Sequence, residues 1–513
     1  MIVASPLPDV DLTISPVTER VLGRLDEVAD RVALVEGETG REVTFRQLDD
    51  LIHRLAGGLV GGGLEVGDTV AIMAPNLPEF AVAFHGTVVA GATATTLNPT
   101  STADEVRHQL ATSGARLLLV SAEVLALARS AAVGTRVTEI VAVDDAPGAT
   151  PMSSLYGPRL GQQPIDPAIH PAALPWSSGT TGLPKGVVLT HANLVANLAQ
   201  YEHGLAYAGG EAGLAVLPFF HIYGLQVLLN GMLSRGCTVV TMRRFDLAEA
   251  LGLVQQHRIT RFFAVPPLVL ALARHPVVDD FDLSSLTTIF CGAAPLGAEL
   301  QLEATARTGV EVVQGYGMTE LSPVSHLTPP GQTRAGSVGV TVSNTECRIV
   351  GPDGADRGVG EEGELLVRGP QVMAGYLGDE EATRRTIDAG GWLHTGDVGR
   401  FDENGHLYLV DRVKELVKYK GFQVAPAELE AVVATHPAVV DVAVAGIPDE
   451  EAGEVPKAYV VLAPGAELTL EALQAFLVGR VAPYKQVRAI QVVDQVPRSI
   501  SGKILRRLLP TTP

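Results

Sequence analysis

In the first third of the chain, short apolar runs alternate with helix-start signals. This rhythm limits the fold more than any other feature. DTVAIMA, Asp68 to Ala74, reads as a buried strand. Asn76 is placed to cap the helix that follows, with Pro78 in its first turn. Thr102 and Glu105 have the spacing of a capping box ahead of EVRHQLATSG, and ARLLLVS, Ala115 to Ser121, is the next short strand. A strand–helix–strand–helix order of this kind builds parallel sheets covered by helices. From Ser343 the pattern changes: TECRIV, GELLVRG and GHLYLVD are short strands separated by Gly, Asp and Asn turns, a compact β subdomain. After Asp411-Arg412 comes a turn at KYKGFQV, a helix in PAELEAVVATH and strands in VVDVAVAG and PKAYVVLA. A last helix, TLEALQAFLVGR, is capped by Thr469. At 513 residues the chain is too long for one core. The expected fold is therefore α/β and α+β. Residues 1–410 form a large N-terminal domain of parallel-rich sheets covered by helices plus the β subdomain. Residues 411–513 form a small C-terminal α+β domain, with the boundary at Asp411.

Composition removes several function classes. Hydrophobic residues are 46% and charged residues 19%, a globular balance. A net charge of −19 argues against nucleic acid as a partner, because binding phosphate backbones needs a basic surface. A small polyanion held by a local nest of backbone N–H groups stays possible. Cys237, Cys291 and Cys347 are far apart with no CxxC pair, which argues against a zinc site or a disulfide framework and for buried small hydrophobes. The start, MIVASPLPDVDL, lacks the basic region of a secretory signal, and the final TTP is no peroxisomal address. The most apolar stretch, Leu214 to Leu233, contains Pro218, His221 and several glycines, so it reads as strand plus helix and not as a membrane span. A soluble cytosolic protein is expected.

The sharpest local motif is SSGTTGLPKGVVLTH, Ser177 to His191. It is not the common NTPase loop, which needs Gly-Lys-Ser/Thr, whereas here Pro184 precedes Lys185 and Gly186 follows it. It still holds the parts of a phosphate cradle. Gly179 and Gly182 allow close backbone approach, Ser177, Ser178, Thr180 and Thr181 supply hydroxyls, and Lys185 supplies charge. A plain Gly/Ser loop is the bland alternative; the ordered run ending in Lys and a strand favours phosphate.

This stretch resembles the signature of the adenylate-forming superfamily: acyl-CoA synthetases, peptide-synthetase adenylation domains and luciferases. The resemblance continues in order through PFFHIYGL at Pro218, CGAAPLG at Cys291, QGYGMTE at Gln314, GWLHTGD at Gly391, DRVKELVKYKGFQVAP at Asp411 and PRSISGKILRR at Pro497. The wording is most similar to 4-coumarate–CoA ligases and related aryl- and acyl-CoA ligases. The resemblance implies ATP, Mg²⁺ and CoA as reactants or cofactors. It also implies a two-step reaction: acyl-adenylate formation with loss of pyrophosphate, then displacement of AMP by a thiol. Such chemistry needs positioning and charge stabilisation and no protein nucleophile.

By resemblance, the loop from Ser177 to Gly182 with Lys185 holds the β- and γ-phosphates. Gly292, Ala293, Ala294 and Pro295 form one wall of an adenine slot; Gln314, Gly315, Tyr316 and Gly317 form the other. Thr319 meets the α-phosphate and Glu320 ligates Mg²⁺, a hard ion that prefers oxygen. Asp397 takes the ribose hydroxyls, with Arg412 as a second ribose contact. Lys503 bridges the substrate carboxylate and the α-phosphate. Lys503 and KYKGFQV both sit on the small C-terminal domain, so one rigid pose cannot serve both half-reactions. The implied solution is a mobile domain rotating about Asp411. Lys418 and Gln423, with Lys420, Gly421 and Phe422 lining a pantetheine tunnel, then face the site. His221 is an aromatic gate beside the thiol path.

Ile222, Tyr223, Val227, Val324 and Ser325, with Gly315 and Gly317, are expected to line the acyl pocket. Tyr223 is placed either to bond a ring hydroxyl or to give its OH to backbone. Amino-acid-activating members of the superfamily this sequence resembles carry an Asp near the FHIYGL position to pair with the substrate ammonium; none lies there in this chain, so the resemblance implies a carboxylic acid without an α-amine. Val227 is larger than the residue usual in hydroxycinnamate ligases, and Leu321-Ser322 and Ser325 also differ. The acid stays open among aryl, fatty and bulky natural-product acids. The rivals are a ligase that loads an acyl carrier protein, a luciferase-like oxygenase and a non-enzymatic binder. Intact Lys185, Glu320, Asp397, Arg412 and Lys503 argue against the last. The family resemblance implies a monomer or homodimer.

Overall fold

A computed structural model of the chain describes residues 2–177, 184–420, 422–449, 451–499 and 502–510. Two large sheets dominate the N-terminal part. In the first, the described strands run in the order 176–177, 185–190, 171–174, 93–96, 69–73, 117–120, 139–142 and 150–151. The strand Thr69–Met73 is central and parallel to both neighbours, Thr93–Thr96 and Leu117–Val120. Every residue of Thr69–Met73 is buried, as a strand covered on both faces must be. The second sheet runs 340–341, 324–327, 311–317, 288–291, 261–264, 212–215, 238–241, 32–36 and 42–44. Its middle is again parallel, from Val32–Glu36 across to Glu311–Gly317.

The helix starts follow the sequence signals with one exception. Thr102 and Glu105 form the full capping box, and Thr469 accepts from Ala472 N. Asn76 does not cap. The helix Pro78–Val89 begins at proline with Leu77 as its boundary residue and no side-chain cap. The Asn76 amide instead donates to the carbonyls of Ala215 (2.7 Å) and Leu217 (2.8 Å), and its oxygen accepts from Phe219 N (2.7 Å). It is buried and ties one sheet to the loop leaving the other. Pro78, with no N–H to satisfy, removes part of the need for a cap.

Leu214 to Leu233 resolves into the end of a strand and a fully buried helix, as the proline and histidine indicate. The helix Tyr223–Asn230 is π-helical, a wider turn often found at functional sites. Among the described residues no helix is long and apolar enough to cross a membrane. The three cysteines are free and buried.

Between Glu346 and Arg412, with one strand added from the chain's start, lies an antiparallel sheet with strands in the order 2–4, 346–350, 363–368, 393–401 and 407–412. Its outer strand, Ile2–Ala4, comes from the chain's start, pairing Val3 with Cys347. The C-terminal sheet runs 422–424, 417–419, 453–462 and 439–449, with Ala489–Val492 also on 453–462. Helices Pro426–Val433 and Leu470–Leu477 pack against it around their own core of Val417, Leu429, Val444, Val460 and Leu473.

Candidate active site

The parallel strands deliver the site. The strands Thr288–Cys291 and Glu311–Gly317 are neighbours, and the turns at their carboxyl ends bring CGAAPLG and QGYGMTE together. That is where open α/β sheets bind ligands. A cavity of about 1090 Å³ opens there. Ser177, Lys185, His221, Ile222, Tyr223, Val227, Gly292, Ala293, Gly315, Tyr316, Gly317, Thr319, Glu320, Val324, Arg412 and Lys503 all line it.

The glycines are there for space. A Cβ on Gly317 would lie 2.0 Å from the Pro323 carbonyl oxygen, and one on Gly315 would lie 2.5 Å from Phe290 Cζ. Ala293 holds φ +69°, an uncommon conformation for a residue with a Cβ, which costs roughly 1–2 kcal/mol. Strain kept at a cavity wall is a mark of functional geometry.

A three-residue polar assembly stands at one side: Tyr316 and Arg412 line the cavity, and Asp397 is buried directly behind them. Asp397 and Arg412 face each other on neighbouring strands. Arg412 Nε lies 3.0 Å from Asp397 Oδ1, and Tyr316 Oη donates to Oδ2 at 2.6 Å. Burial, reinforced by Asp397, holds the Tyr316 phenol far above its ordinary pKa, so it stays a donor. A carboxylate has about four lone-pair positions, so two stay free for incoming hydroxyls. Asp397 is in the strand Leu393–Phe401.

A second assembly lies across the cavity. Glu320 is buried, and Tyr376 Oη donates to its Oε1 at 2.8 Å. The Tyr376 ring also lies under the Lys185 ammonium at 4.8 Å, and Lys185 Nζ is 3.5 Å from Asp379 Oδ2. Tyr376 pairs with Val187 at the sheet edge, which explains its place. Sequence reasoning missed Tyr376 and Asp379. They lie in AGYLGD, which has no motif chemistry of its own.

Lys503 reaches this cavity from the C-terminal unit. Burial and the nearby Arg412 lower its pKa below the ordinary lysine value. Its ammonium makes no ion pair with a described residue. The hairpin carrying Lys418 and Gln423 is elsewhere: Lys418, Lys420, Phe422 and Gln423 are exposed and do not line the cavity. Lys420 Nζ is 2.6 Å from Glu451, and Phe422 stacks on Tyr484 at 4.7 Å.

Several expected contacts fall outside the cavity. Gln314 is buried behind the wall, donating to Gln301 Oε1 at 2.8 Å and to the Leu296 carbonyl at 3.2 Å. Ala294 and Pro295 lie in the turn beyond the lining. Ser325 points away: strand alternation turns Val324 inward and Ser325 toward His326 Nδ1 at 3.0 Å. Tyr223 lines the cavity, but its hydroxyl donates to the Phe290 carbonyl at 3.1 Å, so the backbone alternative holds. His221 lines the cavity with Nδ1 accepting from Tyr223 N at 3.2 Å, and burial lowers its pKa to about 4, so it is neutral at pH 7. Asp411 is buried; its carboxylate accepts from Arg412 N (2.7 Å) and Ala427 N (2.8 Å). Ser178, Gly179, Thr180, Thr181, Gly182 and Gly421 lie outside the described residues.

A family model described as AMP-binding enzyme matches residues 24–377, and one described as AMP-binding enzyme C-terminal domain matches residues 428–503. The chain is 41% identical over 522 residues to 4-coumarate–CoA ligase 1 of Petroselinum crispum, covering 99% of this chain and 96% of that one. It is also 41% identical over 519 residues to 4-coumarate–CoA ligase 3 of Oryza sativa subsp. japonica, covering 98% and 93%. Among solved structures, the anthranilate CoA ligase AuaEII in complex with anthranoyl-AMP is similar with a TM-score of 0.91. It is 27% identical, with 97% of this chain and 96% of that one covered. The o-succinylbenzoate CoA synthetase of Bacillus subtilis with its acyl-adenylate OSB-AMP gives a TM-score of 0.84 at 30% identity, covering 96% and 97%.

Proposed function

This chain belongs to the AMP-binding enzyme family and is an AMP-forming acid–CoA ligase; from that premise we propose which residues carry each half-reaction and what acid it takes. In the first half-reaction a substrate carboxylate oxygen attacks the α-phosphorus of ATP and pyrophosphate leaves. In the second, the sulfur of CoA attacks the acyl carbon, its proton passes to solvent, and AMP leaves.

The observation that carries the residue assignment is that Lys503 shares one cavity with Lys185, Tyr316, Thr319 and Arg412. Lys503 offsets the repulsion between carboxylate and α-phosphate and the charge that gathers between them. Lys185 and the glycine-rich loop hold the phosphate tail. Asp397 accepts the ribose hydroxyls on its free lone pairs while Arg412 and Tyr316 fix its orientation. The Gly292–Ala293 turn and the Gly315–Tyr316–Gly317 strand clasp the adenine, and Thr319 meets the α-phosphate.

Glu320 suits a magnesium ion held mainly by phosphate oxygens. It is a carboxylate oriented by Tyr376, and among the described residues no group of three or more potential ligands gathers to hold a metal alone. A bound Mg²⁺ would neutralise phosphate charge.

The small domain, from Asp411 onward, alternates between two poses. The pose described here is the adenylating one, with Lys503 in and Lys418 and Gln423 out. Rotation brings the second pair, with the tunnel residues Lys420, Gly421 and Phe422, to the cavity for thioester formation, past His221 as gate. The acyl group is uncharged. Ile222, Tyr223, Val227 and Val324 offer it no ionic partner, and His221 is neutral. An aryl acid is favoured by the flat walls of Tyr223 and by the coumarate-ligase relatives. Free buried cysteines suit a reducing cytosol.

The test is a panel of carboxylic acids scored first for pyrophosphate release with ATP and magnesium, then for thioester with CoA. Aryl acids are expected to lead and dicarboxylates to fail. No AMP from any acid would overturn the reading, and adenylate without CoA thioester would favour a carrier-protein acceptor.

A further inference from the structure

The Lys503 loop is held by arginines that no role above explains. Lys503 sits on a tight turn: Leu505 N donates to the Pro497 carbonyl, Ser499 N to the Lys503 carbonyl, and Gly502 N to the Ser499 carbonyl, each at 2.8 Å. Gly502, at φ +79°, packs closely on the large domain. A Cβ there would lie 3.2 Å from Pro267 Cδ and Val265 Cγ2. A loop this short, projecting into a cavity, needs an anchor in the body behind it.

Arg506, three residues past Lys503, supplies one. Its Nε donates to the Val444 carbonyl at 2.9 Å, its Nη2 to Glu430 Oε1 at 2.7 Å, and its Nη1 bonds Glu415. Glu430 Oε1 also accepts from Val444 N at 2.8 Å, which closes a ring. The strand Val439–Asp449 is an edge strand of its sheet, so outward backbone groups need partners. Val444 presents both of its groups outward, and Arg506 with Glu430 satisfies them. Glu415 lies in the turn just after Asp411, where Glu415 N and Leu416 N donate to the Arg412 carbonyl. One guanidinium therefore joins the tail, the sheet edge, the helix Pro426–Val433 and the turn at the domain boundary. Arg498 braces the other foot, with Nη2 2.7 Å from Asp441 Oδ1 and Nη1 donating to the Gly502 carbonyl at 3.0 Å.

We propose that Arg506 is a positioning residue for Lys503. Anchored to Glu430, Glu415 and the Val444 edge, it sets the depth and direction from which the lysine enters the cavity. This rests on the reading that Lys503 serves adenylate formation. Arg506 touches no substrate; it acts through the loop.

The experiment measures both half-reactions separately on the full chain: pyrophosphate release from ATP and acid, and thioester formation from presynthesised acyl-AMP and CoA. Misplacing a reacting group by about an ångström costs on the order of a hundredfold. Arg506→Ala is expected to lower the rate of adenylation about a hundredfold at unchanged KM for ATP and acid, with thioester formation within about twofold of wild type. Arg506→Lys, which keeps charge but loses the fork, is expected to recover only part. Glu415→Gln, a milder change should Arg506→Ala fold poorly, is expected to show the same split at smaller size. Equal loss in both half-reactions, in step with a lowered melting temperature, would overturn the proposal and leave Arg506 as a fold residue. Full adenylation in Arg506→Ala, with Lys503→Ala inactive in that step, would sink it while leaving the role of Lys503 intact. If Lys503→Ala also adenylates normally, the underlying reading fails instead.

Discussion

Two loops of the same small domain stand in opposite relation to the cavity. The 497–505 turn enters it with Lys503, whereas the 417–424 hairpin keeps Lys418 and Gln423 in solvent. Both loops carry polar groups suited to charge stabilisation, and both are fixed to one sheet-and-helix body. Attachment to one body makes their positions interdependent. On the proposed rotation, domain motion would separate two chemical steps that need different donors around one intermediate. The Asp397 wall contrasts with both. Asp397 is bonded to both Arg412 and Tyr316, as a preorganised wall should be.

The sharpest way to break this comparison is Lys503→Ala. Adenylation from ATP and acid should fall by about a hundred- to a thousandfold, with thioester formation from supplied adenylate largely kept. Equal losses in a folded variant would mean that the two loops are not specialised. The mirror test is Lys418→Ala with Gln423→Ala. It should slow thioester formation by roughly tenfold or more and spare pyrophosphate release, read in single-turnover assays. Slowed adenylation would contradict the exposure of this hairpin.

A smaller effect is expected in the pocket. Val227→Ala removes two methyl groups' worth of wall, and one methylene in an apolar pocket is worth about tenfold or more in selectivity. Competition between a small and a bulkier aryl acid should shift by about that factor toward the bulkier. No shift would place the acyl group elsewhere.

Smallest is a pH effect that divides large domain from small. Burial lowers His85 and His221 to about 4 and His191 and His326 to about 3, all in the large domain, from 6.5. Their neutral forms support the fold above 6.5, and that support is lost as pH falls toward 4, because only the unfolded chain takes up protons. Glu430, in the small domain, is pushed up to about 7 by burial, which outweighs Arg506. Its contribution is full below 4.5 and lost as pH rises through 7, the opposite sign. Thermal melts should lose a few degrees between pH 6.5 and 5. Glu430→Gln should fall more steeply over that range, since its compensation is gone. A melting temperature that rises on acidification would refute the sign.

Much of the site was legible because its chemistry is local. Glycines at close approaches, Lys185 at the start of a strand and Glu320 after Tyr316 are all readable from short spacings. Residues whose task depends on a distant partner were misread. Asn76 looked like a cap because caps are local, yet its three hydrogen bonds go to residues about 140 positions away. Ser325 was misplaced because one residue along a strand turns a side chain to the other face. Gln314 was misplaced for the same kind of reason, facing the helix behind its strand. Tyr376 was invisible because its value comes from lying beside both Lys185 and Glu320.

The sequence by itself determined the alternation of elements, the fold class and the family. These follow from local propensities and from motifs whose residues are contiguous. Only the tertiary structure decided which loop of the small domain meets the cavity, that the Tyr223 hydroxyl is taken by Phe290, and that Arg506 anchors the turn bearing Lys503. Those outcomes depend on packing between segments far apart in the chain, where distances are set by the sheets and not by spacing.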